Sequence, residues 1–189
     1  MAFADELAAL NEWHFFREFT YSRNTFQPVP NQEVELADNL IWLGDLLIAY
    51  QLKEREVVPD ANAETEKRWF ERKVLKLATR QVRDTLGYLK GTERIEVQNH
   101  RNRSFSLEFA SVREFHKLVV YLPHASLPEE YRRIKHHRSQ TAGVIHIIPA
   151  QDYMGIVRNL LTPIEVAEYL SFREGLINRW ETEDRKSVV

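Results

Sequence analysis

Asp38, Gln51 and Lys53 stand at a spacing that an apolar hairpin would bring together. The stretch from Glu33 to Arg55 carries Leu, Ile, Trp and Tyr on both sides of Gly44-Asp45. Glycine at the first central position marks a two-residue type II′ turn. With that turn Leu43 faces Leu46, each further pair keeps the same sum of residue numbers, and Asp38 lies opposite Gln51. Alternation along the strand sends Gln51 and Lys53 to the same face as Asp38. An acid, an amide and an amine are costly to bury side by side unless something satisfies them, and a divalent metal ion with a bound phosphate does so.

Asp38 followed, after the turn, by Gln51-Leu52-Lys53 resembles the PD-(D/E)xK nuclease superfamily in its QxK variant. Ala37 stands where the common pattern has proline, and Gln51 where it has an acid. The resemblance covers the first half of the chain, through the helix after Arg68. It implies a restriction-endonuclease-like α/β fold, a mixed central β-sheet flanked by α-helices. It also implies metal-dependent hydrolysis of nucleic-acid phosphodiesters, with DNA as the expected partner, by an endonuclease or exonuclease of defence or repair. The implied cofactor is Mg2+ (or Mn2+), held by Asp38 and Gln51 with the Leu52 carbonyl and either Glu18 or Glu35, while Lys53 helps to position and activate the attacking water. Folds of this family often draw a further carboxylate from the first helix, a place that Glu18 or Glu12 would fill. Strict alternation puts Glu35 opposite to Asp38, so it joins the site only through a bulge or from the frayed start of the strand. An amide at position 51 removes a charge from the metal shell, which predicts weaker affinity unless a neighbouring acid compensates.

Grip on a phosphate backbone calls for clustered cations. A helix expected from Glu64 to Lys90 and stopped by Gly91 carries Arg72, Lys76, Arg80 and Arg83 in one stripe, diluted by Glu71 and Asp84. Gln81 interrupts its apolar stripe, either as a satisfied core group or as a group aimed at the site. The run from Tyr131 to Arg138, with Arg132, Arg133 and Lys135, is the densest local positive charge. Both stripes are also what solvated faces look like. Adjacent His136 and His137 point apart in any regular structure and do not make a metal pair. Two other classes stay open: a nuclease-fold module without catalysis, acting in nucleic-acid binding or protein assembly, and an α/β interaction protein in which Asp38 and Lys53 are a structural ion pair. A homodimer is the assembly to test.

Periodicity outlines the helices and strands that carry these residues. A helix is expected from Asp5 to about Phe19, then a connecting loop from Tyr21 to Gln32 with Pro28 and Pro30. Residues 57–63 read as a second loop. The long helix precedes a second hairpin, Ile95–Gln98 with Ser104–Phe109, and two apolar strands, Lys117–Leu122 and Gly143–Ile148. A helix at about Asp152 to Leu161 leads to Thr162-Pro163-Ile164-Glu165, a capping box with proline at the first helical position, opening a helix to about Trp180.

The chain has 189 residues, 43% of them hydrophobic, which sets the expectation of a single domain over 1–189. Net charge is −2, so any polyanion surface must be local. The absence of cysteine excludes a disulfide framework, a thiol nucleophile and thiolate zinc sites. No secretory signal or membrane-length apolar run is expected, and the reading is cytoplasmic.

Overall fold

The computed structural model describes residues 3–22, 24–29, 31–55, 61–99, 101–160 and 162–187. At its centre is a six-stranded mixed sheet whose strands, in order across it, are β1 (Thr20–Tyr21), β4 (Asn39–Leu43), β5 (Leu46–Lys53), β8 (Glu114–Tyr121), β10 (Gly143–Pro149) and β9 (His136–Ser139). A short helix, α4 (Glu129–Arg132), lies between β8 and β9 in the chain. Strands β5, β8 and β10 run parallel, and the neighbours toward each edge are antiparallel. The parallel strands are the near-continuous apolar runs, since helices cover both of their faces.

On one face pack α1 (Phe3–His14), α5 (Ala150–Asn159) and α6 (Pro163–Ser187), enclosing Ile48, Tyr50, Leu118, Val120 and Ile148. On the other lies one continuous helix made of α2 (Ala63–Trp69), a π-helical stretch (Phe70–Ala78) and α3 (Thr79–Gly91). Phe70, Val74, Ala78 and Val82 are set there against Val119, Tyr121, Ile145 and Ile147. Each such fully buried aliphatic or aromatic side chain contributes roughly 1.5–3 kcal/mol of transfer free energy.

Gly44 takes φ +63 and Asp45 is not among the positive-φ residues, the combination a type II′ turn requires. The ladder from Leu43↔Leu46 to Asn39↔Tyr50 keeps a constant sum of residue numbers. The expected first strand is not continuous, however. Gln32–Glu35 forms β3, which pairs with β2 (Thr25–Val29) in a separate ribbon turning at Asn31, φ +64. Most of the expected loop from Tyr21 to Gln32 is therefore strand, with Pro30 outside the described residues. Pro28 is tolerated because the ladder is irregular between Phe26 and Val29.

Helix α1 ends at His14 rather than near Phe19, because Phe16 adopts φ +64 and turns the chain toward β1. The second hairpin, β6 (Ile95–Gln98) with β7 (Ser104–Leu107), stands as its own ribbon. The expected loop at 57–60 lies outside the described residues, and Asn62 caps α2 in a reciprocal box with Thr65. At α6 the Glu165 carboxylate accepts from Thr162 N at 2.8 Å, and Thr162 Oγ1 accepts from Glu165 N at 3.2 Å. Among the described residues no helix is long and apolar enough to cross a membrane.

Candidate functional site

Asp38 stands just before β4, on a connection held from two sides. Asn24 Oδ1 accepts from Ala37 N at 2.9 Å, and the Asn24 carbonyl accepts from Leu36 N at 3.1 Å. From α3, Thr85 Oγ1 donates to the Leu36 carbonyl at 2.5 Å. Leu36 and Ala37 are themselves buried, so the bend is part of the core. Beyond the end of the ladder, Asp38 Oδ2 accepts from Leu52 N at 2.5 Å and stands 3.5 Å from Lys53 Nζ. The other carboxylate oxygen accepts no hydrogen bond among the described residues. Lys53 Nζ also donates to the Leu52 carbonyl at 2.8 Å, so this oxygen, expected as a metal ligand, has a partner within the chain.

Asp38 and Gln51 line a cavity of about 300 Å³ together with Glu35, Gln81, Asp84, Thr85 and Tyr88. Gln51 is 4% exposed. The side-chain oxygens of Gln51 and Gln81 are both buried without a hydrogen-bond partner among the described residues. Unpaired buried amide oxygens are uncommon, each costing about 1–3 kcal/mol of desolvation. Glu35 reaches the cavity because β3 ends at that residue, so strand alternation does not carry through to Asp38. Crowding by the surrounding protein raises the pKa of its carboxyl, the charge of Asp38 adds to the rise, and Lys53 opposes it.

A cavity lined by carboxylate and amide side chains, with no imidazole or thiolate, offers the oxygen-rich ligand set that magnesium and manganese prefer. The residues present fit such an ion. Gln81, Asp84, Thr85 and Tyr88 follow an i, i+3, i+4, i+7 pattern on α3. Asp84 therefore belongs to the cavity, where the sequence suggested only a dilution of the basic stripe; that spacing was the available signal.

Glu18 is not brought to this cavity. It lies past the end of α1, pairs with Arg101 at 2.8 Å, and sits beside Phe19, whose carbonyl accepts from Trp42 N toward the turn end of β4. Asp38 is at the opposite end of that strand. Glu12 pairs with Arg17 at 3.1 Å.

Arg72, Lys76, Arg80 and Arg83 line one shallow groove, joined by Lys73. None of these five has an ion pair among the described residues. This groove lies about a third of a turn around α3 from the cavity-lining residues, taking 3.6 residues per turn. The second cationic run is spent internally. Arg132 donates to the carbonyls of Leu127, His124 and Ala125, each at 2.9 Å. Arg133 pairs with Glu129 at 3.4 Å and Lys135 with Asp152 at 3.3 Å. Instead of a phosphate-binding loop, His136–Ser139 is the sheet's edge strand, whose His136 bonds Glu181 at 3.0 Å while His137 faces the charge of Arg83.

Comparison with protein-family models, curated proteins and solved structures gives no match to this chain.

Proposed function

We propose that the chain hydrolyses nucleic-acid phosphodiesters with a divalent metal at Asp38, as a restriction-endonuclease-like enzyme of the QxK type. The observation that carries this reading is the pair of buried, unpartnered amide oxygens of Gln51 and Gln81, two residues that line the same cavity as Asp38 and Glu35. A structural Asp38–Lys53 ion pair leaves those oxygens unexplained. The mixed sheet, with the motif on a hairpin between the first helix and the long helix, is compatible with that fold.

In this reading Asp38, Glu35 and Gln51 hold Mg2+ or Mn2+, with Gln81 and Asp84 behind them. When bound, the ion supplies Lewis-acid neutralisation of phosphate charge. Lys53, held beside Asp38, orients the attacking water and meets the negative charge that grows on the phosphoryl oxygens. The five unpaired cations of the long helix hold the backbone of the polymer. DNA is the proposed polymer.

The test is a manganese-induced thermal shift together with cleavage of plasmid and oligonucleotide DNA, in wild type and Asp38→Ala. Wild type is expected to show both, and Asp38→Ala neither. A manganese response without cleavage would move the proposal to a metal-binding module that has lost catalysis. Neither response in wild type sinks the site.

A further inference from the structure

On the opposite face of the sheet from Asp38, two buried histidines and a glutamate converge. His146 of β10 is the register partner of Leu118, and His116 lies two residues before Leu118 on β8, so both imidazoles project to one face as diagonal neighbours. Their ring centroids are 6.2 Å apart. Helix α6 crosses above them and brings Glu174, with one donor atom from each of the three residues within 4.8 Å of the other two. We propose that His116, His146 and Glu174 form a second metal site, for a zinc-class transition ion, independent of the Asp38 cavity.

His146 carries the argument. It is fully buried, and both of its ring nitrogens lack a hydrogen-bond partner among the described residues. A neutral imidazole has one donor and one acceptor, and a core histidine kept for packing would ordinarily satisfy at least one of them. His116 is held differently. Its Nε2 stands 2.8 Å from Glu114 Oε1, a carboxylate oxygen that also accepts from Ser171 Oγ at 2.6 Å. The carboxylate can only accept, so the proton sits on Nε2. The lone pair is left on Nδ1, which is buried and without a partner. A carboxylate fixing the tautomer and tilt of an imidazole is the usual support of a metal-bound histidine.

Burial lowers the pKa of both imidazoles, His146 to about 3. Arg173 and Lys117 place positive charge near these rings, and the carboxylates of Glu114 and Glu174 oppose it. Two imidazoles and a carboxylate without a thiolate suit zinc and its neighbours better than magnesium, and leave a fourth position for water. Donors bound to one zinc at about 2.1 Å stand roughly 3.4 Å apart in a tetrahedron, so the three, within 4.8 Å of one another, must draw in by at most about 1.4 Å. Glu174 is only partly buried, so it has room to close and gives the ion a route from solvent.

Cobalt(II) serves as the probe, because tetrahedral coordination gives it strong visible absorption, and zinc titration calorimetry supplies stoichiometry. Both are run on the full chain in the Asp38→Ala background, so the first site cannot contribute. One equivalent of each metal is expected, with tetrahedral cobalt bands. Glu114→Gln should weaken affinity roughly 10–100-fold as a lost orienting partner, and Glu174→Ala at least as much. His146→Gln should abolish the bands. Because Glu174 is partly exposed, Glu174→Ala is expected to fold, with circular dichroism and metal-free melting as the check. Absence of stoichiometric binding in the Asp38→Ala protein, or binding unchanged by Glu174→Ala and His146→Gln, overturns the proposal.

Discussion

Lys53 Nζ stands 3.5 Å from Asp38 Oδ2, across a hairpin whose Gly44-Asp45 turn sets the register that makes the two meet. The Lys53 side chain is 13% exposed and that of Asp38 24%, so the ammonium is held in a restricted setting beside the carboxylate. In the proposed mechanism it acts on the water and the developing phosphoryl charge, not on the distant backbone. Lys53→Ala should lower single-turnover cleavage on the order of hundreds-fold, the size of a lost acid–base or electrostatic group. Affinity for uncleaved DNA in calcium buffer should stay within about twofold. Loss of affinity with an unchanged rate of bound substrate would contradict the assigned role.

Gln51 separates the demands of stability and metal binding. Leucine at this position removes the unpaired amide oxygen while keeping a similar volume. Gln51→Leu should therefore be neutral or stabilising by about 1 kcal/mol in chelator, yet lose the manganese shift. Gln51→Glu should do the reverse: a carboxylate beside Asp38 and Glu35 destabilises the metal-free protein and tightens manganese. Urea unfolding with and without manganese measures both.

The groove cations should act through counterion release. Alanine at Arg72, Lys76, Arg80 or Arg83 should each weaken DNA binding and reduce the slope of log affinity against log salt by about 0.9 for each phosphate left without its cation. Arg132→Ala should leave that slope unchanged and instead destabilise the fold by roughly 1 kcal/mol, because its guanidinium satisfies three backbone carbonyls. Fluorescence anisotropy across a salt series distinguishes the two groups.

His14, at the end of α1, has its pKa lowered by burial, against smaller upward effects from the Thr162 backbone and the Glu165 charge. The unfolded chain therefore binds a proton more readily at this position than the folded one. Stability should fall as pH drops below the ordinary value of 6.5, down to the depressed folded value, and hold constant above it. His14→Gln should make that part of the pH profile less steep, with the contribution of the other histidines of lowered pKa, His116, His137 and His146, remaining. Chemical denaturation across about three pH units around the ordinary histidine value reads the difference.

The features legible from the chain alone are local. The Gly44 turn with the register of its hairpin, the Thr162–Glu165 box and the extent of the long helix each depend on residues within a few positions, whose φ preferences and spacing act before any tertiary contact forms. The apolar runs of β8 and β10 likewise announced strands buried on both faces. Which polar groups share a cavity depended on how distant segments pack. Glu35 enters because Asn24 and Thr85 bend the chain at Leu36-Ala37, and Glu18 leaves because Phe16 ends α1 early. Asp84 and Gln81 join from a helix, the Arg132 charge is absorbed by carbonyls, and Glu174 meets two histidines from another element. Those outcomes rest on hydrogen bonds and packing between segments far apart in the chain. A periodic pattern specifies which face of an element is buried, but not which neighbour will lie against it.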